Sequence, residues 1–266
     1  MNSTTSGAMK TIAVIRAVTL AGMCGMRIMS GSIWWRVVMV TSFKKIEALA
    51  GKHHGGPKGI RAVLDEWKIE TDLSKKKDAQ FLAGMAKAVF SSGFSWEVIE
   101  KKWPGFEVAF DKFDPRKVAA YDDDRIDALL KDTRIVRNGA KIMSTIENAR
   151  FIVATSKQHG SFAKFLMGWP VTDQVGLMDH LKKNASRLGG ATVQYFLRFE
   201  GWDAFILSGD VVKALIREGV VAKEPTSKKD LAAVQAAFNA WREESGRPVR
   251  EISRILALSV GPSGPA

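Results

Sequence analysis

The sequence predicts an all-α fold, helical and two-lobed, on three observations. Apolar residues recur at three-and-four spacing almost everywhere after Phe43, helix caps and breakers stand at Asp114-Pro115, Asn138, Ser227 and Gly246, and no convincing strand pair is seen. At 266 residues and 46% hydrophobic content, the chain can bury a sizeable core, and it is not a disordered protein. The expected organisation is a non-domain N-terminal extension over 1–38, a helical domain over 39–260 and a flexible Gly- and Pro-rich tail over 261–266.

The first 42 residues differ in composition from the rest. They hold Lys10, Arg16, Arg27 and Arg36, no acid, and a Met- and Gly-rich apolar background. Arg16 interrupts the run that resembles a secretory leader, and the three arginines leave no uninterrupted stretch of about 18 apolar residues for a membrane span. The segment reads as an extension ahead of Met39, with a basic amphipathic membrane-surface helix as the alternative. Further on, Phe81, Leu82, Met85, Ala88 and Val89 share one face of a helix between Ser74 and Ser91. Asp114-Pro115 opens a short helix to Tyr121. A longer helix follows Asn138, with Ile142, Ile146, Ala149 and Val153 along one side. Ser227 to Asp230 resembles a capping box ahead of Leu231–Trp241, Gly246 ends that segment, and Pro248 starts a last helix to Leu258.

Charge narrows the partners. Forty basic against 28 acidic residues give a net +12, which favours a polyanion, either nucleic acid or an anionic membrane surface. A single thiol, Cys24, excludes an intramolecular disulfide and a Cys-rich zinc site and fits a reducing cytoplasm. The four histidines are scattered, and His53-His54 reads as a solvated turn, so no metal site is expected.

The stretch from Arg187 to Val212 carries the most chemistry. A turn on Gly189 and Gly190, followed by Ala191 and Thr192, turns backbone N–H groups outward at a helix start, where they can bind a phosphate oxygen. Asp210 follows about twenty residues later, on the next helix. Asp210 is also an ordinary helix N-cap on these residues alone.

The segments Ser92-Gly93-Phe94-Ser95-Trp96, Phe106 through Phe113-Asp114-Pro115, Lys117-Val118-Ala119, Ile135-Val136-Arg137-Asn138, Lys141-Ile142 and Asn148-Ala149 resemble, in order and spacing, the 3-methyladenine DNA glycosylase I family. Leu188-Gly189 and the helix Val193–Phe199 fall where that family has its hairpin, and Asp210 resembles the acid of the wider helix-hairpin-helix glycosylase superfamily. The resemblance implies a monofunctional DNA glycosylase that hydrolyses the N-glycosidic bond of an alkylated purine during base excision repair. It implies double-stranded DNA as partner, a cytoplasmic monomer, no membrane and no cofactor. Asp210 is then the catalytic acid, Trp96 the platform for the flipped base, and Gly189, Gly190, Ala191, Thr192, Arg137 and Lys141 the holders of the DNA backbone. An indole face suits a cationic alkylated base, whose charge also weakens its own glycosidic bond. Two features depart from the family. Ala88 stands where a base-reading glutamate is usual, eight residues ahead of Trp96, and the usual two-Cys, two-His zinc site is missing. Trp169 and Trp202 read as packing residues, Tyr195 as packing inward, and Lys75-Lys76-Lys77 as an exposed helix end. The alternative reading is a non-catalytic helix-hairpin-helix protein that binds damaged or distorted DNA.

Overall fold

In the computed structural model, residues 25–29, 32–36, 41–66, 72–93 and 95–261 are described, the first two stretches by their backbone alone. Residues 1–24, with Cys24, and 262–266 of the expected tail lie outside them, as does Phe94. The chain divides into two compact units, residues 1–41 and 42–266. In the first, β1 (Gly25–Met29) pairs antiparallel with β2 (Ser32–Arg36), Gly25 opposite Arg36 and Ile28 opposite Ile33. This corrects the expectation that no strand pair forms. Two short runs rich in Ile, Met and Trp, separated only by Ser30-Gly31, carry a hairpin signal that the basic, Met-rich composition obscures.

The second unit is all-α. It opens with α1 (Phe43–His53) and α2 (Gly56–Glu66), followed after Asp72 by a 3-10 turn, α3 (Asp78–Ser91) and α4 (Trp96–Ala109). Next come α5 (Pro115–Ala119), α6 (Asp123–Lys131), the long α7 (Gly139–His159) and α8 (Phe162–Gly168). The chain closes through α9 (Gln174–Asn184), α10 (Gly190–Glu200), α11 (Gly209–Arg217), α12 (Lys228–Ser245) and α13 (Val249–Leu258). The expected caps are in place: Asp114 accepts from Arg116 N, Asn138 from Lys141 N and Ser227 from Asp230 N. Val153 is the exception on the expected α7 face. It is exposed, while Ile142, Ile146, Ala149 and Ile152 are buried.

Two lobes result. One core joins α3 to α10 through Phe81, Met85, Phe106, Ile146, Phe162 and Phe196. The other gathers Phe43 and Ile46 of α1, Leu215 of α11, Phe238 and Trp241 of α12 and Ile252 and Ile255 of α13, all almost fully buried. Glu244 of α12 closes this second lobe by capping α1: Ser42 Oγ donates to one oxygen and Phe43 N, at 2.8 Å, to the other. Burial works against the charge, but the bonds from Ser42 and from the Phe43 and Lys44 amides prevail and hold the Glu244 carboxyl below its usual range.

One turn of the first core is strained. Asp111, Lys112 and Phe113 have φ of 50°, 55° and 57°, a left-handed turn that costs about 1–2 kcal/mol per residue. Phe113 offsets this by stacking between Trp103 and Phe110, and Asp111 by accepting from the Tyr121 hydroxyl and from Arg125. Tyr121 therefore lies beyond α5 as the anchor of this turn, rather than within the short helix the sequence suggests.

Candidate active site

The glycine turn forms as its residues predict. Gly189 is extended at φ −116° and precedes the first residue of α10, Gly190, at φ +56°, which a side chain would adopt only under strain. A Cβ on Gly190 would meet nothing within 4 Å, so the space there is open to a ligand. The first N–H groups of a helix lack intrahelical acceptors and point outward. Thr192 is different: its N–H donates to Gly189 O at 3.2 Å. Ahead of it, Arg187 is exposed at φ +58° and Leu188 is buried. Asn148, fully buried on α7, grips this loop by donating to Ser186 O at 3.1 Å and accepting from Ser186 N at 2.7 Å.

The two cations assigned to the DNA backbone part company. Arg137 is exposed beside the start of α7. Lys141 is buried, and its ammonium donates to the carbonyls of Phe90 (3.1 Å) and Ser92 (2.6 Å) at the C-terminal end of α3. Burial, and then the Arg187 guanidinium, hold Lys141 below the usual lysine range. This corrects its reading as a phosphate holder. From the sequence the two residues look alike, because they lie one turn apart; only the packing of α3 on α7 separates them.

Trp96 is the first residue of α4, after the Ser95 cap, and is 41% exposed. Its ring meets Phe199 edge-on at 5.5 Å and Tyr195 at 6.4 Å, an aromatic ledge formed by α4 and α10. Tyr195 and Phe199 also line a cavity of about 730 Å³, together with Arg198, Ser208, Val211 and Arg254. Tyr195 thus faces this cavity instead of packing wholly inward. Arg198 is brought down to about 10 by burial and ties α10 to the next segment, donating twice to Ala204 O.

Asp210 lies in the first turn of α11, but Ser208 is the cap, accepting from Val211 N. The carboxylate is part-exposed and pairs with Lys213 at 3.0 Å. Its neighbours Ser208 and Val211 line the cavity beneath the ledge. Among the described residues, no hydrogen bond or ion pair joins Asp210 to Trp96, so Asp210 reaches the cavity only through these neighbours.

Sequence reasoning missed a second carboxylate. Glu200, at the end of α10, is buried, with a short hydrogen bond from Lys76, so Lys76 is not part of an exposed helix end. Burial raises the Glu200 carboxyl, and Lys76 opposes the rise. A Cβ on Gly84 would stand within 1.9 Å of a Glu200 oxygen, so glycine there is what admits the carboxylate against α3. Ala88, one turn further along α3, is buried. The Lys76–Glu200 separation of 124 residues leaves no local signal. His53 ends α1 exposed and the turn starts at His54, so the solvated-turn reading holds for His53, while the Nε2 of the half-buried His54 is buried. Trp202 donates to Leu166 O and Trp169 to Asp173 O, as expected of packing residues.

Helices α9 and α10 are joined through the glycine turn, and the helix that carries Asp210, α11, follows them. Residues 66–190 match the family model described as methyladenine glycosylase, which bears out the family resemblance over that stretch. The chain is 32% identical over 103 residues to DNA-3-methyladenine glycosylase 1 of Escherichia coli (strain K12) and 31% identical over 102 residues to the DNA-3-methyladenine glycosylase of Haemophilus influenzae. Each match covers 38% of this chain, and the chain spans about half, 52%, of the length of these curated relatives. The crystal structure of Methanocaldococcus jannaschii 8-oxoguanine glycosylase/lyase in complex with DNA has 13% identity and a TM-score of 0.49, covering 80% of this chain and 94% of that one. No helix among the described residues is long and apolar enough to cross a membrane.

Proposed function

We propose that this chain is a DNA N-glycosylase that releases an alkylated, 3-methyladenine-like purine by hydrolysis in base excision repair. The observation that carries the reading is the exposed Trp96 of α4 set against Tyr195 and Phe199 of α10, two residues that line a cavity on the helix whose N-terminal glycine turn is open to a phosphate. Gly189, Gly190, Ala191 and Arg137 hold the duplex by its backbone, and Thr192 braces the turn. A base rotated out of the stack lies against Trp96, where a cationic ring is attracted by the indole face. Asp210, whose neighbours Ser208 and Val211 line the cavity, offsets the positive charge that develops on the deoxyribose as the bond breaks. The charge on the base makes it a good leaving group, so Asp210 need not donate a proton.

Hydrolysis without strand scission is favoured because no lysine is among the described residues lining the cavity, and Lys213 is ion-paired with Asp210. A Schiff-base lyase needs a neutral amine in the site. The same Asp210–Lys213 pair favours the second reading, a non-catalytic binder of distorted DNA, because the carboxylate is engaged outside the aromatic ledge. Incubation with methylated duplex DNA distinguishes the two. The enzyme releases free methylated adenine and leaves abasic sites that break only on later alkali treatment. Retention of the duplex with no free base would support the binder, and breakage without alkali would support a lyase.

A further inference from the structure

The glycine turn opens α10, whereas Trp96 opens α4 and reaches α10 through its ring contacts with Tyr195 and Phe199. A duplex gripped at one place and a base received at another requires a fixed distance between them. Two buried polar side chains of α7 reach out to these two places. Lys141 takes carbonyls at the C-terminal end of α3, those of Phe90 and the Ser92 cap, six and four residues ahead of Trp96. Asn148 takes both backbone groups of Ser186, at the foot of the glycine turn. They are seven residues apart, two turns of helix and about 10 Å along the axis, so they leave α7 from the same side. Between them, Ser144 and Thr145 hydroxyls donate to Lys141 O.

Neither residue is an economical choice for stability alone. Burying an ammonium or an amide is costly unless it is bonded, and an apolar side chain of similar volume commonly serves a core as well. What Lys141 adds is a defined end for α3, since a cation among the final carbonyls of a helix fixes where the chain turns. The turn through Gly93, at φ +81°, and the Ser95 cap then set where α4 starts with Trp96. Asn148 does the same for the loop that leads to Gly189.

We infer that α7 is the spacer of the site, and that Lys141 and Asn148 are positioning residues: Lys141 aligns the Trp96 platform and Asn148 aligns the backbone-gripping turn. The inference rests on the functional reading above. It predicts that the two residues fail differently, which shared loss of stability would not produce.

The test uses the full chain, an undamaged duplex and a methylated duplex of the same sequence. Lys141→Met should lower the rate of base release at saturating protein by about tenfold to a hundredfold while the dissociation constant for undamaged duplex stays within about twofold. Asn148→Leu should weaken undamaged-duplex binding by about fivefold or more, with the smaller effect on the saturated release rate. Should Lys141→Met not fold, Lys141→Arg, which keeps a charge but displaces the donors, reads the same split. Trp96→Ala and Gly190→Val serve as references for the two places themselves. If Trp96→Ala leaves base release intact, the functional reading fails. If Trp96→Ala lowers release but folded Lys141 variants do not, or if the Lys141 and Asn148 variants lose binding and release in parallel, the spacer role is overturned while that reading stands.

Discussion

Gly190 shows how a single residue can be read for a site. Its φ of +56° and the empty space beyond its missing side chain together mark a position where backbone, not side chain, faces outward. Gly190→Val should cost about 1–2 kcal/mol in local strain, which a core of this size tolerates, and should weaken duplex binding severalfold by obstructing the amides. Thermal melting and a binding titration check this; unchanged affinity in a folded variant would remove the turn from the DNA-binding surface. Trp96→Ala should act on recognition instead, bringing the affinities for methylated and undamaged duplex closer together, as a competition titration would show. Gly190 and Trp96 were both legible in the sequence because the signal was local, a glycine pair before a helix and a Ser-Trp helix start. Lys141 was not, because its burial depends on α3, some fifty residues earlier, as the contacts to Phe90 and Ser92 show.

The helices themselves were legible wherever a cap and a periodic face coincided, as at Asn138, Ser227 and Gly246. They were less so where a bond from a distant element decides. Nothing near Ser42 announces that Glu244, 202 residues on, caps α1. The sign of the resulting pH dependence is fixed by the direction of its shift. A carboxyl held below its usual range stabilises the fold above that range and loses the contribution as pH falls through the lowered value. Glu244→Gln should therefore melt at a lower temperature than the parent at neutral pH, with the two curves converging as pH falls below the ordinary glutamate value of about 4.3. Melting curves over that range suffice, and a gap that stays constant to the acid end would exclude Glu244 as the source. The strand pair β1–β2 was missed for a further reason: its residues are read against a helical chain, although Ser30-Gly31 between two apolar runs is a turn signal in its own right.

At the scale of the molecule, the all-α class followed from periodicity, and the two lobes from the length and hydrophobic content of the chain. Net charge of +12 makes duplex affinity depend on phosphate neutralisation, so it should fall steeply as salt is added. Binding that is indifferent to salt would place the contact elsewhere. We also propose that residues 1–38 stand outside the catalytic fold. Their removal leaves Ser42 and its bond to Glu244 in place, so melting temperature and base release should be nearly unchanged; a large loss in either would show that the segment contributes to the folded domain.

The central claim is that one carboxylate, Asp210, acts on the deoxyribose while the glycine turn and the Trp96 ledge do the holding. Asp210→Asn removes the charge, and Ser208 remains to cap α11, so the helix is retained. The most direct measurement is single-turnover release of the methylated base by the parent and by Asp210→Asn, with undamaged-duplex affinity taken on the same samples. The expected result is a release rate lower by about a hundredfold or more at unchanged affinity, with a residual rate because a cationic base departs readily. An Asp210→Asn protein that releases the base as fast as the parent would contradict the account and leave leaving-group activation, or another acid, as the source of catalysis.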